Sequence, residues 1–273
     1  MTYKPSPKPN FSKPTHIKYN AMDTYMWGDE EAGYVKDWIY VSNESLHQII
    51  FGMEPGGNFK HSNQYRTIFG ADELLYVLSG VLIINNPQTG EIQKINKGES
   101  VFFRKDTWHH AFNFSNEYLQ VLEFFSPPPM TGTSGAYGKK QEYLTNSIYN
   151  RDETLSIKES FTNQKSFKII NETDYIWSID GPNQETLIGT LIKTEYLDVK
   201  MITLNAFKKS HIFKFNKNTA YLSLNDNLKI KLINEKNQYS LQKKDGLYFP
   251  SLTEFTIENL NEYDAKIILC VGL

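Results

Sequence analysis

Short runs of β-forming residues, each closed by a cluster of turn residues, fill the first half of the chain and leave it little choice of fold. DWIYVS, LHQIIFGM, ELLYVLSG, VLIINN, SVFFR, HHAFNF and YLQVLEFF follow one another, separated by PGGN, NPQTGE, NKGE and RKDTW. Val, Ile, Phe and Tyr suit a pleated backbone, while Gly, Asn, Asp and Pro supply the conformations that reverse a hairpin. The result is an all-β domain. Runs such as LQVLEFF and VLIIN are apolar on both faces, so the strands belong to a closed barrel or to two packed sheets.

From Ser126 the text changes to SPPPMTGTSGAYGKK, which no regular element can occupy for long. β-type runs then resume with TLIGTLIKTEYLDVKMITL, HIFKF, AYLSL, LKIKLIN, GLYFP, EFTIEN and AKIILCVGL. Their order resembles that of the first half, the mark of a diverged duplication. The expected partition is an N-terminal arm over 1–34, a first domain over 35–125, a linker over 126–164 and a second domain over 165–273. A chain of 273 residues can fill two such cores without disulfide or metal. The arm, rich in Pro and Lys, reads as an extended segment that wraps the body of the protein or a partner subunit, so a homodimer is a candidate assembly.

Charge and cysteine content narrow the function classes. Lys and Arg total 29 against 31 Asp and Glu, which gives no electrostatic reason to expect nucleic acid or an anionic membrane. No run of 18 apolar residues offers a membrane span, and the N-terminus lacks a signal peptide's apolar stretch, so a cytoplasmic location is expected. Cys270 is the only cysteine, which rules out an internal disulfide and a Cys-rich zinc motif.

A transition-metal site of nitrogen and oxygen ligands needs imidazoles and carboxylates converging on one point, with positions left open for substrate. His61, Glu73 and His109 are the candidates. Two stretches around them, E73-LLYVLS-G80 and G98-ESVFF-R104-K-D106-TW-H109-HAF-N113, resemble the two motifs of the cupin superfamily. Arg104 and Asp106 replace the motif's proline and inner glycine, and Asp can also adopt the turn. The resemblance implies two cupin-type (double-stranded β-helix, jelly-roll) barrels in tandem. It also implies a metal in the first barrel, with His109, not His110, as a ligand. The chain departs from the pattern before Glu73: the motif has His-x-His a few residues ahead of the glutamate, whereas here the stretch is H61-S-N63 and eleven residues intervene between His61 and Glu73. A triad of His61, Glu73 and His109 is left, with Asn63 in the place of an imidazole and QYRTIFGAD as a loop over the barrel mouth. Fe²⁺ is the favoured metal, with Mn²⁺, Ni²⁺, Zn²⁺ and Cu²⁺ also admitted by such ligands.

In the second half His211 stands near the start of the matching region. Thr219 replaces the glutamate, Asp226 the glycine, and the stretch holding Gly246 and Pro250 has no histidine. This domain is expected to be a cupin that has lost its metal site.

The surroundings suggest a substrate. Arg66, Arg104 and Arg151 are the only arginines, and the first two flank the triad. A guanidinium clamps a carboxylate bidentately, so Arg66 and Arg104 are assigned to binding a small acidic substrate, with a surface ion pair to Asp72 or Glu99 as the alternative. His47 shares a strand face with Ile49 and Phe51 and is a candidate proton shuttle, as is Tyr65; Tyr76 and Trp108 are candidate pocket walls. The expected activity is a non-haem iron oxygenase acting on a small hydroxy- or keto-acid. The alternatives are a non-redox metal-dependent isomerase or lyase, and a small-molecule-binding bicupin without catalysis.

Overall fold

The computed structural model describes residues 7–126, 137–150, 165–235 and 237–272. Most of the expected linker, with Arg151, lies outside them.

The strands of the first half are β1 (Thr15–Ile17), β2 (Tyr25–Asp29), β3 (Gly33–Ser42), β4 (His47–Met53), β5 (Asn58–Phe59), β6 (Asp72–Ser79), β7 (Val81–Asn86), β8 (Glu91–Asn96), β9 (Ser100–Phe103), β10 (His110–Asn113) and β11 (Leu119–Ser126). Those of the second half are β12 (Lys168–Ile170), β13 (Ile176–Asp180), β14 (Thr186–Lys193), β15 (Asp198–Leu204), β16 (Phe213–Lys214), β17 (Thr219–Ser223), β18 (Leu228–Leu232), β19 (Gln238–Leu241), β20 (Gly246–Phe249), β21 (Glu254–Asn259) and β22 (Ala265–Val271). In the N-terminal barrel a seven-stranded sheet, β12-β9-β6-β11-β4-β3-β2, faces a four-stranded one, β5-β10-β7-β8. The C-terminal barrel repeats the plan with β1-β20-β17-β22-β15-β14-β13 and β16-β21-β18-β19.

Three apolar layers result. Inside the first barrel Phe51, Val77 and Val121 of the large sheet meet Leu82, Ile84 and Ala111 of the small one. Ile230, Phe249, Phe255 and Leu269 lie in the interior of the second. Between the barrels the outer faces of the two large sheets bury Ile50, Leu74, Leu122 and Phe124 against Val199, Met201, Leu222 and Ile268. Strands buried on both faces explain why these runs read as continuously apolar. Truncating one such Leu or Ile to Ala costs about 2–5 kcal/mol.

Two strands cross the expected partition. Residues 15–34 are not merely an arm: β1 pairs with β20 of the far barrel (Thr15 opposite Tyr248), and β2 forms the edge of the near one. β12 returns from the second half to pair with β9 (Lys168 opposite Phe102). His16 fixes the first crossing through its Nε2, 2.8 Å from Asp245 Oδ2.

The duplication has a hydrogen-bond signature. Asn113 Nδ2 donates to the carbonyls of Met53, Glu54 and Glu117, while Asn259 Nδ2 donates to those of Leu204, Asn205 and Tyr263. The Oδ1 of each accepts the backbone N–H two residues on, from Ser115 and Asn261. Such a buried amide tying three carbonyls recurs only where the backbone path recurs.

Candidate functional site

The site is assembled by strand alternation. On β11, Phe125 lies opposite Glu73 of β6 and His47 of β4, and Glu123 lies opposite Leu75 and Ile49. Phe51 lies opposite Asp37 of β3. Residues two apart share a face, so Glu73, Glu123, His47 and Asp37 all turn into the first barrel. Gly80 permits the abrupt β6–β7 reversal: its φ is +73° and a Cβ there would stand 3.0 Å from Leu119 Cα.

Two loops complete the wall. Asp106 adopts φ +64°, the left-handed turn expected of it in place of glycine. Its N–H then reaches Phe69 O at 2.8 Å, and the N–H of His109 reaches Thr67 O at 3.0 Å. This zipper sets Thr67 and Phe69 beside His109. The enclosed cavity has a volume of about 80 Å³ and is lined by Trp27, Phe59, Phe69, Phe125 and aliphatic side chains, with Asp37, His47, Thr67, His109 and Glu123 as the polar ones. Of these lining residues His47 alone is partly exposed.

His109 sits between the rings of Phe103 and Phe69, at centroid distances of 4.7 and 5.5 Å. Its Nδ1 is 3.2 Å from Thr107 O. A carbonyl only accepts, so Nδ1 carries the proton and Nε2 keeps its lone pair. Nε2 faces Glu73 Oε2 at 3.9 Å. Burial lowers the His109 pKa to about 4, so the two do not form an ion pair at neutral pH. Glu73 Oε2 has no hydrogen-bond partner among the described residues. Burial first, then the neighbouring Glu123, pushes the Glu73 pKa well above the carboxylate range; burial raises Glu123 to about 8. The two carboxyls hydrogen-bond each other, the bond favouring the proton on Glu73. Burial also lowers the pKa of His47.

His61 does not join Glu73 and His109. The chain leaves the barrel after β5, and Ser62 Oγ turns it by accepting the N–H groups of Gln64 and Tyr65. His61 Nδ1 lies 2.6 Å from His110 Nε2, and its Nε2 lies 2.8 Å from Leu144 O. Both ring nitrogens are therefore engaged. Asn63 is exposed, and the loop expected over the mouth instead lends Thr67 and Phe69 to the wall. Those two, spaced one residue apart and just ahead of Glu73, occupy the place of the motif's His-x-His. Among the described residues no group of three His, Cys, Asp or Glu is placed to hold a metal ion.

The arginines also turn away. Arg66 Nη1 donates to Gly138 O (3.0 Å) and Gln141 O (2.8 Å), with the guanidinium over Tyr143. Arg104 pairs with Asp72 at 3.1 Å, the alternative weighed from the sequence, and with Glu195 of the second barrel. The substrate-binding role assigned to Arg66 and Arg104 is corrected accordingly. Tyr65 packs edge-on against Trp27, Tyr76 belongs to the inter-barrel layer and Trp108 covers His61, so none of them lines the cavity.

The second barrel acts as an internal control. Counted back from Asn259 as His109 is from Asn113, the matching residue is Phe255. In register with β22, Thr219 lies opposite Val271 as Glu73 lies opposite Phe125, and Leu269 takes the place of Glu123. All three polar positions have become Phe, Thr and Leu, and the interior is apolar. His211 pairs with Asp180 at 3.3 Å on a partly exposed face. No helix of the described residues is long and apolar enough to cross a membrane.

No protein-family model matches the sequence, and no curated protein does. Solved structures resemble it in shape. Oxalate decarboxylase of Bacillus subtilis superposes with a TM-score of 0.62 at 11% identity, over 98% of this chain and 78% of that one. AerE of Microcystis aeruginosa gives 0.59 at 12% identity, over 96% and 97%, and protein Ylba of E. coli gives 0.64 at 12%, over 96% and 91%. The decarboxylase has Mn(II) centres. Both barrels are covered in these superpositions, so the chain has the fold of those structures, two double-stranded β-helix (jelly-roll) barrels in tandem.

Proposed function

We propose that the first barrel is a small-molecule site that performs non-redox proton transfer, as an isomerase or lyase would. The observation that carries this is a buried pair on the inward face of the first barrel: the unpartnered Glu73 Oε2 and the His109 Nε2 lone pair, 3.9 Å apart, with His109 on the cavity wall. A ligand atom beside the pair, within hydrogen-bond reach of both, would meet a carboxyl and a neutral imidazole at once, the arrangement that general acid–base catalysis needs. Glu123 neighbours the Glu73 carboxyl, and His47, the partly exposed residue of the lining, is the candidate to pass a proton to solvent.

The expectation of an iron oxygenase rested on a triad with three open coordination positions, and the placement of His61 does not support it. A second reading keeps a divalent transition metal. The Mn(II) centres of oxalate decarboxylase favour it, and His109 with Glu73 would hold such an ion, which would supply Lewis acidity. These two ligands fall short of the usual three, so the donor set does not fit a tightly held ion and no step is assigned to it.

The test is solvent deuterium wash-in. The protein is incubated in D₂O with a panel of small carbonyl, hydroxyl and amine compounds, and carbon-bound deuterium is read by NMR. Exchange that persists after chelation and disappears in Glu73→Gln supports the proposal. Exchange that requires added Mn²⁺ transfers the site to the second reading, and absence of exchange across the panel leaves a binding module.

A further inference from the structure

We propose that the first-barrel cavity takes a small organic cation, an alkylammonium ion of up to about three non-hydrogen atoms, and not the acid suggested by the arginines. The proposal rests on the reading that this cavity is the functional site, and it adds the class of ligand.

Three observations converge. Asp37 lines the cavity, is 6% exposed, and its Oδ1 has no hydrogen-bond partner among the described residues. A carboxyl oxygen taken out of water with nothing to bind is costly, and a ligand that donates a charged N–H removes that cost. No Lys or Arg is among the lining residues, so the wall offers an anion no positive charge to pair with. The remaining wall offers the rings of Trp27, Phe51, Phe59 and Phe125. Aromatic faces attract cations, most strongly where water is excluded, and rings combined with a carboxylate suit an ammonium carrying short alkyl groups.

Size sets the upper bound. An apolar cavity of about 150 Å³ holds benzene, and this one measures about 80 Å³. At about half that volume the cavity has room for methylammonium or ethylammonium, and tetramethylammonium serves as the oversized probe. The second barrel lacks the feature, since Ile188 lies opposite Ile202 where Asp37 lies opposite Phe51.

The experiment is a binding titration followed by NMR, with methylammonium, ethylammonium and tetramethylammonium chlorides, sodium acetate, tert-butanol and MnCl₂ as separate probes. At least one ammonium ion should bind ten-fold or more tightly than acetate and tert-butanol, shifting resonances of Trp27. Asp37→Asn should weaken it at least ten-fold while the variant unfolds at a midpoint near or above that of the wild type. Acetate binding as tightly as any ammonium ion overturns the proposal, and so does unchanged ammonium affinity in Asp37→Asn. Should that variant fail to fold, Asp37→Glu takes its place: it keeps the charge but lengthens the arm, and must shift the preference to the smallest ion. Stoichiometric Mn²⁺ uptake with no response to any ammonium ion would make the cation a metal and also overturns the proposal. Failure of proton transfer is read separately, because ammonium binding needs no turnover and should survive in Glu73→Gln.

Discussion

Replacing Asp37 with Asn should make the free protein more resistant to unfolding in alkaline solution than in acid, relative to wild type. Burial raises the Asp37 pKa from 3.8 to about 7, so the folded chain holds this proton more tightly than the unfolded chain does. Between those two values the folded state binds more protons, and stability falls as pH rises, by about 1.4 kcal/mol per unit. The loss begins above pH 3.8, is complete above about pH 7, and amounts to about 4 kcal/mol in total. Asn cannot ionise, so the variant lacks this component. Glu73 and Glu123 push stability the same way in both proteins, and taking variant minus wild type largely cancels them. Urea unfolding followed by tryptophan fluorescence from pH 4 to 8.5 measures the difference. It should move in the variant's favour by several kcal/mol across the range, with an offset of about 1–3 kcal/mol at acid pH for burying an amide with an unmet group. A difference that stays flat with pH would mean that Asp37 is charged and paired in the native barrel, refuting its place as an unpartnered acid.

Other outcomes follow from the same geometry. Converting Thr67 and Phe69 together to His restores His-x-His beside Glu73 and His109, so elemental analysis after loading should find manganese rising to near one ion per chain, from a much lower wild-type value. His61→Gln breaks the chain of hydrogen bonds running from Leu144 O through His61 and His110 to Tyr149, which should speed amide exchange over residues 142–150 and cost about 1–3 kcal/mol. Cys270 is fully buried, and burial raises its thiol pKa, so thiol reagents should label it only at the rate of unfolding.

How much of this was legible in the sequence depended on distance along the chain. Strands and turns were readable because alternation and turn chemistry are local: Gly80 and Asp106 punctuate the motifs where their backbone angles require it. Motif spacing puts Glu73 and His109 on adjoining elements, and the structure brings their side chains within 3.9 Å. His61 was expected beside them because it is a histidine in the right order, but the structure places it with His110 and Leu144; the alternate residues just ahead of Glu73 are Thr67 and Phe69, a signal present in TIFGADE. Asp37 and Glu123 were missed although each is a lone acid in an apolar run, KDWIYV and LQVLEFF, which marks an inward carboxyl when both strand faces are buried. The destination of Arg104 was illegible, since Glu195 joins it only through packing of one barrel on the other. The same holds for the crossings of β1 and β12, which depend on edges that exist only once both sheets have formed.

The central claim, that Glu73 and His109 and not a His61-based triad do the chemistry, is tested most directly by deuterium wash-in on three chelator-treated proteins side by side: wild type, Glu73→Gln and His61→Gln. The account predicts exchange into a small substrate with wild type and His61→Gln at comparable rates, and a loss of at least a hundred-fold with Glu73→Gln, the scale of a missing general acid or base. Equal loss in His61→Gln and Glu73→Gln, restored in wild type only by added metal, would contradict it and reinstate the triad.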